Sequence, residues 1–135
     1  MSESLRILLA EDDPVSSALI QLKLEADGHT VQAASSGTEA LQMATAAPPD
    51  LLLLDVVMPG LDGLEVTRRL REQPDTADLS IVLLTGRDSD HDIVAGWKSG
   101  ANYYITKPFA IEHLRYFIRS CMKTRRPTAV PTSLN

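Results

Sequence analysis

The chain has 135 residues, a length that fits one domain with a core of its own. Hydrophobic residues make up 44% of it and charged residues 23%, which are ordinary values for a globular protein. The formal net charge of -5 does not favour nucleic-acid binding, and no apolar run is long enough to span a membrane. Cys121 is the single cysteine, so no disulfide can form within the chain. Because the start is polar and unlike a signal peptide, we expect a cytoplasmic location.

Five short apolar runs predict β-strands, at residues 7–10, 30–34, 51–54, 81–84 and 103–105. The runs at 51–54 and 81–84 are continuous rather than alternating. Continuous runs of this length are typical of parallel strands that are buried on both faces.

Segments with helical spacing of apolar residues separate these strands. The first should begin after Asp13, a good N-cap, with Pro14 at the first helical position, and should end at Gly28. Its predicted apolar stripe is Val15, Ala18, Leu19, Leu22 and Ala26. Further helices are predicted over about 38–46, from about residue 63, over 90–99, and from 111 to 121.

Strands that alternate with helices indicate an α/β fold with a mostly parallel sheet covered on both faces. The order of elements is (βα)5, and residues 1–124 should form this one domain. Residues 125–135 have no periodicity, so they are interpreted as a flexible tail or the start of a linker.

Polar side chains follow four of the predicted strands where each strand ends. They are Glu11, Asp12 and Asp13 after the first strand, Asp55 after the third, Thr85 after the fourth and Lys107 after the fifth. In an open parallel sheet, ligands bind beyond the carboxyl ends of the strands. Each of these residues alone would suit a plain turn or cap, but their joint placement favours a functional site.

Clustered carboxylates repel one another and lose hydration, so a cation should offset their charge. Lys107 is one candidate and a divalent metal ion is the other. A set of oxygen ligands suits a hard ion such as Mg2+. No group of Cys and His residues has the spacing of a zinc site.

Four segments resemble the receiver domain of two-component response regulators, the CheY-like family. They are ILLAEDD at 7–13, LDVVMPGLDG at 54–63, VLLTG at 82–86 and GANYYITKPF at 100–109. The resemblance covers about residues 5–122. It implies a five-stranded, doubly wound, flavodoxin-like sheet with the strand order 2-1-3-4-5, the order of CheY itself.

The resemblance also implies roles for the acidic residues. Asp55 matches the phosphoacceptor and Asp12 the direct ligand of Mg2+, for which Mn2+ is an alternative. Glu11 matches the second acid, which usually acts through a water, and many family members have Asp there. The backbone carbonyl of Val57 matches the third metal ligand from the protein.

Further roles follow from the same resemblance. Thr85 and Lys107 match the hydroxyl and the ammonium that contact the phosphoryl group, and Tyr104 matches the aromatic switch residue. The peptide between Lys107 and Pro108 would be cis, as is usual in the family. Val57 and Arg87 occupy the two positions that tune dephosphorylation. Since Val57 has no polar side-chain atom to orient a water, the phosphorylated form should be comparatively long-lived.

The function implied is a phosphoacceptor that catalyses its own modification and is not an enzyme in the usual sense. Its donor would be a phosphohistidine on a sensor histidine kinase or a histidine phosphotransfer protein. Its output would be a protein target, an output domain in a parent chain, or a homodimer that forms on phosphorylation. The predicted partner surface combines the helix over 90–99, the fifth strand and the last helix, and carries Trp97, Lys98, Tyr104, Arg115 and Arg119.

Three other functions stay open. A degenerate receiver would only bind partners, although the set of Asp12, Asp55, Thr85 and Lys107 is complete. A phosphatase with an aspartate nucleophile would need a second Asp where Val57 stands. A flavodoxin-like flavin protein would need a phosphate-binding loop after the first strand, and that loop is acidic here.

Overall fold

Five strands form one parallel sheet in the order β2-β1-β3-β4-β5. The computed structural model describes residues 4–86, 100–107 and 109–124. The strands are β1 (Arg6–Ala10), β2 (Thr30–Ala34), β3 (Leu51–Asp55), β4 (Ser80–Thr85) and β5 (Tyr103–Thr106). The predicted fold class, the five strands and their order are confirmed.

Four helices lie within the described ranges. They are α1 (Pro14–Ala26), α2 (Gly37–Ala46), α3 (Gly63–Arg71) and α4 (Ile111–Thr124). None of these described helices is long and apolar enough to cross a membrane. The predicted helix over 90–99 and the predicted tail over 125–135 lie outside the described residues.

Side-chain caps fix where three of the helices begin. Asp13, Ser36 and Asp62 precede α1, α2 and α3, and each accepts a hydrogen bond from the backbone N–H three residues later, at 3.2, 3.0 and 2.8 Å. Such caps satisfy backbone donors that the first turn leaves without helical partners. The prediction that Asp13 caps the first helix is confirmed.

The core lies on both faces of the sheet, and alternate residues of β3 divide between the two sides. Leu52 and Leu54 pack into the cluster that includes residues of α2 and α3. Leu51 and Leu53 pack into the cluster that includes residues of α1 and α4. All four leucines are fully buried, which explains why this strand is a continuous apolar run.

The apolar stripe predicted for α1 is wrong, because the helix buries a different face. Ile20 and Leu24 are its buried residues, whereas Val15, Leu19 and Leu22 are 75%, 53% and 65% exposed. The helix has apolar residues on two faces, so spacing alone cannot say which face meets the sheet. The exposed face of α1 begins beside the carboxyl ends of the strands.

Candidate functional site

Three acidic residues meet where β1 and β3 end. Glu11 directly follows β1 and Asp55 is the last residue of β3. Both are buried, with exposed fractions of 3% and 7%, while Asp12 is exposed. One carboxylate oxygen from each of the three lies within 4.8 Å of the other two. Adjacent parallel strands therefore bring the predicted acids into one cluster.

Lys107 bridges the two buried carboxylates. Its Nζ lies 2.7 Å from Glu11 Oε1 and 2.7 Å from Asp55 Oδ2. The backbone N–H of Lys107 donates to the carbonyl of Thr85 at 2.7 Å, which holds the turn after β5 against the end of β4. The lysine thus lies within the acidic cluster, as the strand-end pattern predicted.

The environment of Lys107 favours its charged form. Burial alone would lower the pKa of this ammonium, but its hydrogen bonds to Asp55 and Glu11 act in the opposite direction and prevail. The pKa of Lys107 is therefore raised above its ordinary value of 10.5. The site holds a cation at neutral pH and well above it.

Backbone donors bind the remaining oxygens of the two buried acids. The N–H of Asp13 donates to Glu11 Oε2 at 3.2 Å, and the N–H of Val57 donates to Asp55 Oδ1 at 3.1 Å. All four oxygens of these two carboxylates therefore accept a hydrogen bond. Asp12, by contrast, forms no hydrogen bond or ion pair with the described residues.

The chemistry of this donor set fits a hard divalent cation. Three carboxylates and one ammonium give the cluster a formal charge of about -2 when all are ionised. Mg2+ binds through one or two carboxylates and keeps several waters, and the exposed Asp12 beside buried Glu11 and Asp55 offers such ligands.

Thr85 and Tyr104 lie on the next strands of the sheet. Thr85 ends β4 and is 1% exposed, and among the described residues its hydroxyl makes only a long contact of 3.4 Å with the carbonyl of Gly86. Tyr104 is half-buried in β5, pairs in register with Leu83, and packs against the cluster on the α2 and α3 side. The two predicted switch residues therefore belong to neighbouring strands, with Tyr104 opposite the residue two positions before Thr85.

Val57 stands at the surface beside Asp55. Its side chain is 71% exposed, while its backbone is held by the hydrogen bond to the Asp55 carboxylate. Arg87, the other predicted tuning residue, lies outside the described residues, as do Pro108, Trp97 and Lys98.

Arg115, a residue of the predicted partner surface, pairs with the end of α1. Its guanidinium binds both carboxylate oxygens of Asp27 at the end of α1, at 2.7 and 3.2 Å. Arg115 therefore joins α4 to α1, because its fork matches the geometry of a carboxylate. Arg119, further along α4, is exposed.

Gly63 is a site residue whose packing the sequence did not reveal. A Cβ atom there would lie 2.5 Å from the carbonyl oxygen of Asp55 and 2.9 Å from Cα of Val56. The N-terminus of α3 therefore packs directly on the backbone that carries the central carboxylate. The sequence predicts a helix from about residue 63 and places Gly63 in the family motif, but spacing gives no sign of the contact with Asp55.

A cleft of about 620 Å³ opens beside the acidic cluster. Its polar lining includes Glu11 and Lys107 at the site and Lys23 on α1, and its apolar lining includes Leu19, Ile20, Phe109 and Ile111. The cleft runs between α1 and the segment that follows β5.

Comparisons with known proteins agree with this fold. The curated response regulator MprA of Mycobacterium leprae is 45% identical over 123 residues, covering 91% of this chain and 53% of that protein. The chain thus spans about half the length of the curated relatives it matches. A signal receiver domain of a histidine kinase from Syntrophus aciditrophicus has a TM-score of 0.86 and 30% identity, covering 96% of this chain and 98% of that chain.

A second solved structure bears on the metal. The receiver domain of the Pseudomonas aeruginosa sensor histidine kinase PA1611 has a TM-score of 0.83 and 30% identity, covering 90% of this chain and 99% of that chain. That protein carries a magnesium ion coordinated in its active site cleft.

The family model of the response regulator receiver domain matches residues 7–119. The chain therefore belongs to the family of response regulator receiver domains.

Proposed function

We propose that Asp55 accepts a phosphoryl group from a phosphohistidine, and that this modification switches the domain between two states. The observation that carries the proposal is the buried Asp55 carboxylate, held at the end of β3 beside two further acids and the Lys107 ammonium. Phosphoryl transfer depends mainly on positioning and on charge stabilisation, and these residues supply both.

In the proposed reaction, an oxygen of Asp55 attacks the phosphorus atom. A P–O bond forms to Asp55, the P–N bond to the donor imidazole breaks, and the leaving nitrogen keeps the electron pair. Lys107 donates hydrogen bonds to the phosphoryl oxygens, and Thr85 donates its hydroxyl hydrogen to one of them. No atom in the described part of the chain lies within 4 Å of the place where a Cβ of Gly86 would stand, which leaves room for the group.

Glu11, Asp12, Asp55 and the backbone carbonyl of Val57 are the proposed ligands of Mg2+, or of Mn2+ in its place. When bound, this ion neutralises charge on the transferring phosphoryl group. The acids themselves orient the nucleophile and keep the site negative until the ion and the phosphoryl group arrive.

Switching is proposed to be a population shift that these contacts bias. The Thr85 hydroxyl, which makes only a long contact within the described residues, turns toward the phosphoryl group. Tyr104 on the neighbouring strand then moves toward the space that the hydroxyl leaves. The surface near β5 changes as a result, and this change is what a partner reads.

The proposed donor is a sensor histidine kinase or a histidine phosphotransfer protein. The proposed output is a target protein, an output domain in a longer parent chain, or a phosphorylation-dependent homodimer. The proposed domain spans residues 1–124, residues 125–135 serve as a tail or linker, and the location is cytoplasmic.

Intact mass measurement tests the proposed function. The protein is incubated with acetyl phosphate as a small-molecule donor, with Mg2+ or with a chelator. We expect one added phosphoryl group only when Mg2+ is present, and none in Asp55→Asn. The matched control is Asp75→Asn, the same change at an exposed carboxylate, which should behave like the wild type.

The same experiment separates the alternative functions. Absence of any phosphoryl addition under every condition would contradict the proposal and favour a receiver that only binds partners. Sustained release of phosphate over many turnovers would favour a phosphatase.

A further inference from the structure

The loop between β3 and α3, residues 56–62, rests on the first turn of α2. The backbone N–H of Gly37 donates to the carbonyl of Pro59 at 3.0 Å. Gly37 is buried, and a Cβ atom there would overlap the carbonyl oxygen of Leu61 and lie 2.7 Å from its carbonyl carbon. The backbone of the loop and the backbone of the helix therefore meet directly at this point.

A second glycine makes the same fit possible from the side of the loop. Gly60 has a φ of +75°, in the left-handed region that glycine adopts at little cost. A Cβ atom there would lie 2.5 Å from Thr38 Oγ1 and 3.6 Å from the backbone nitrogen of Thr38. Gly37 and Thr38 thus form a surface, the α2 seat, from which a side chain at position 37 or 60 would lift the loop.

The turn that carries the α2 seat is itself held firmly. Ser36 Oγ accepts the N–H of Glu39 at 3.0 Å, and Glu39 Oε1 accepts the N–H of Ser35 at 2.8 Å. Reciprocal contacts of this kind stabilise the start of a helix. The loop therefore rests on backbone that has little freedom to move.

Val57, whose carbonyl is a proposed metal ligand, lies between fixed points of this loop. On one side, its N–H donates to Asp55 Oδ1 at 3.1 Å. On the other side, Met58 is 7% exposed and packs in the core cluster that includes residues of α2, and Gly37 then holds the carbonyl of Pro59. The backbone at Val57 cannot shift far without breaking one of these contacts.

We propose that the α2 seat positions the Val57 carbonyl for Mg2+ and thereby favours Mg2+ over the larger Ca2+. The inference rests on the proposed function, because it takes this carbonyl as a metal ligand. Mg2+ requires nearly ideal octahedral geometry with ligands at about 2.0–2.1 Å, whereas Ca2+ accepts flexible geometry at about 2.3–2.6 Å. A carbonyl that is held in place suits the stricter ion, so release of the loop should weaken Mg2+ binding more than Ca2+ binding. Gly37 acts through the loop and is a positioning residue.

Isothermal titration calorimetry with each ion, without phosphodonor, tests the α2 seat. In Gly37→Ala we expect the Kd for Mg2+ to rise about tenfold and the Kd for Ca2+ to rise less than about threefold. The methyl group forces the loop away from α2, which moves the carbonyl of Val57. The ratio of the two Kd values is the decisive readout, because general destabilisation would affect both ions alike. Circular dichroism confirms that each variant is folded.

Ala44→Gly is the matched control within the same helix. Ala44 is buried about two turns further along α2, and glycine there destabilises the helix without adding an atom near the loop. We expect the ratio of the two Kd values to stay at that of the wild type. The same change of ratio in Ala44→Gly and Gly37→Ala would overturn the α2 seat.

A second pair of variants decides the matter even if Gly37→Ala does not fold. Gly60→Ala brings its methyl group to 2.5 Å from Thr38 Oγ1, so it should also weaken Mg2+ binding selectively. Adding Thr38→Ala removes that hydroxyl while the backbone strain at position 60 remains. We expect the double variant to recover part of the preference for Mg2+, and no recovery would overturn the α2 seat.

The experiment separates failure of this inference from failure of the proposed function. Equal loss of both ions in Gly37→Ala, or no loss of either, would overturn the α2 seat and leave the proposed function intact. Absence of Mg2+ binding in the wild type would overturn both the α2 seat and the proposed Mg2+ site.

Discussion

Asp55 takes its character from groups that are distant in sequence. It shares Lys107 with Glu11, and its other oxygen accepts the N–H of Val57. The strand-end pattern predicted that these side chains would meet, because parallel strands end at one edge of the sheet. It could not predict that Lys107 would bind Glu11, because the reach and rotamer of a side chain leave no periodic signal.

The exposed Val57 side chain leads to a prediction about the lifetime of phosphorylated Asp55. Hydrolysis requires a water to attack the phosphorus atom, and the Val57 side chain has no polar atom to orient that water. Val57→Asn should therefore speed phosphate loss by roughly tenfold, or about 1.4 kcal/mol of transition-state stabilisation. The loss of phosphate from Asp55 is followed by intact mass measurement after the phosphodonor is removed.

Val57→Leu provides the control for that experiment, because it changes the side chain without adding a polar atom. The rate of phosphate loss in Val57→Leu should stay close to that of the wild type. An unchanged or slower rate in Val57→Asn would contradict the proposed role of this position.

Among the elements, α3 packs against Asp55 through a single small residue, Gly63. Gly63→Ala puts a methyl group 2.5 Å from the Asp55 carbonyl oxygen. We expect a loss of roughly 1 to 3 kcal/mol in the free energy of unfolding, because backbone atoms must move to relieve the clash. Urea denaturation of the wild type and the variant measures this loss in the free energy of unfolding.

Gly86→Ala is the matched control, since a Cβ there meets no atom of the described residues within 4 Å. Gly86→Ala should lower the free energy of unfolding clearly less than Gly63→Ala does. Equal losses would show that the close approach of α3 to Asp55 does not determine stability.

Helix faces were the least predictable part of the fold. For α4 the sequence has one apolar stripe, and Leu114 and Ile118 are buried as it predicts. For α1 the apolar residues lie on two faces, and the sheet contacts Ile20 and Leu24 rather than the stripe with the more regular spacing. Periodicity finds a helix reliably, but only the tertiary contact selects its buried side.

Arg71 makes contacts that no sequence pattern indicated. Its guanidinium, at the end of α3, donates to the carbonyl of Gly100 and to the Asn102 side chain, and also to the carbonyls of Thr76 and Ala77. It thereby ties α3 to the turn that precedes β5. In the sequence it is one of three arginines in the last turn of an ordinary helix.

At the scale of the whole molecule, the site and the stability of the fold are linked through Lys107. Its pKa in the folded protein is raised above 10.5. The stability from its ion pairs is therefore complete below pH 10.5, and it is lost as the pH rises through the higher pKa of the folded state. Wild-type stability should fall more steeply above pH 10.5 than that of Lys107→Met.

Urea unfolding at a series of alkaline pH values checks this dependence, with Lys23→Met as the control that keeps the bridge. Identical pH profiles for the wild type and Lys107→Met would contradict the linkage.

The continuous central strands and the clustering of acids at one edge were readable from the sequence, because hydrophobic periodicity and strand ends determine them, whereas the sheet order came from the resemblance to receiver domains. The proposed phosphorylation of Asp55 is tested most directly by locating the phosphoryl group. After reaction with acetyl phosphate and Mg2+, borohydride reduces an aspartyl phosphate to homoserine, which peptide mass spectrometry can place in the chain. We predict homoserine at position 55 and at no other acidic residue. Homoserine at position 12, or reduction at none of the acids, would contradict the account.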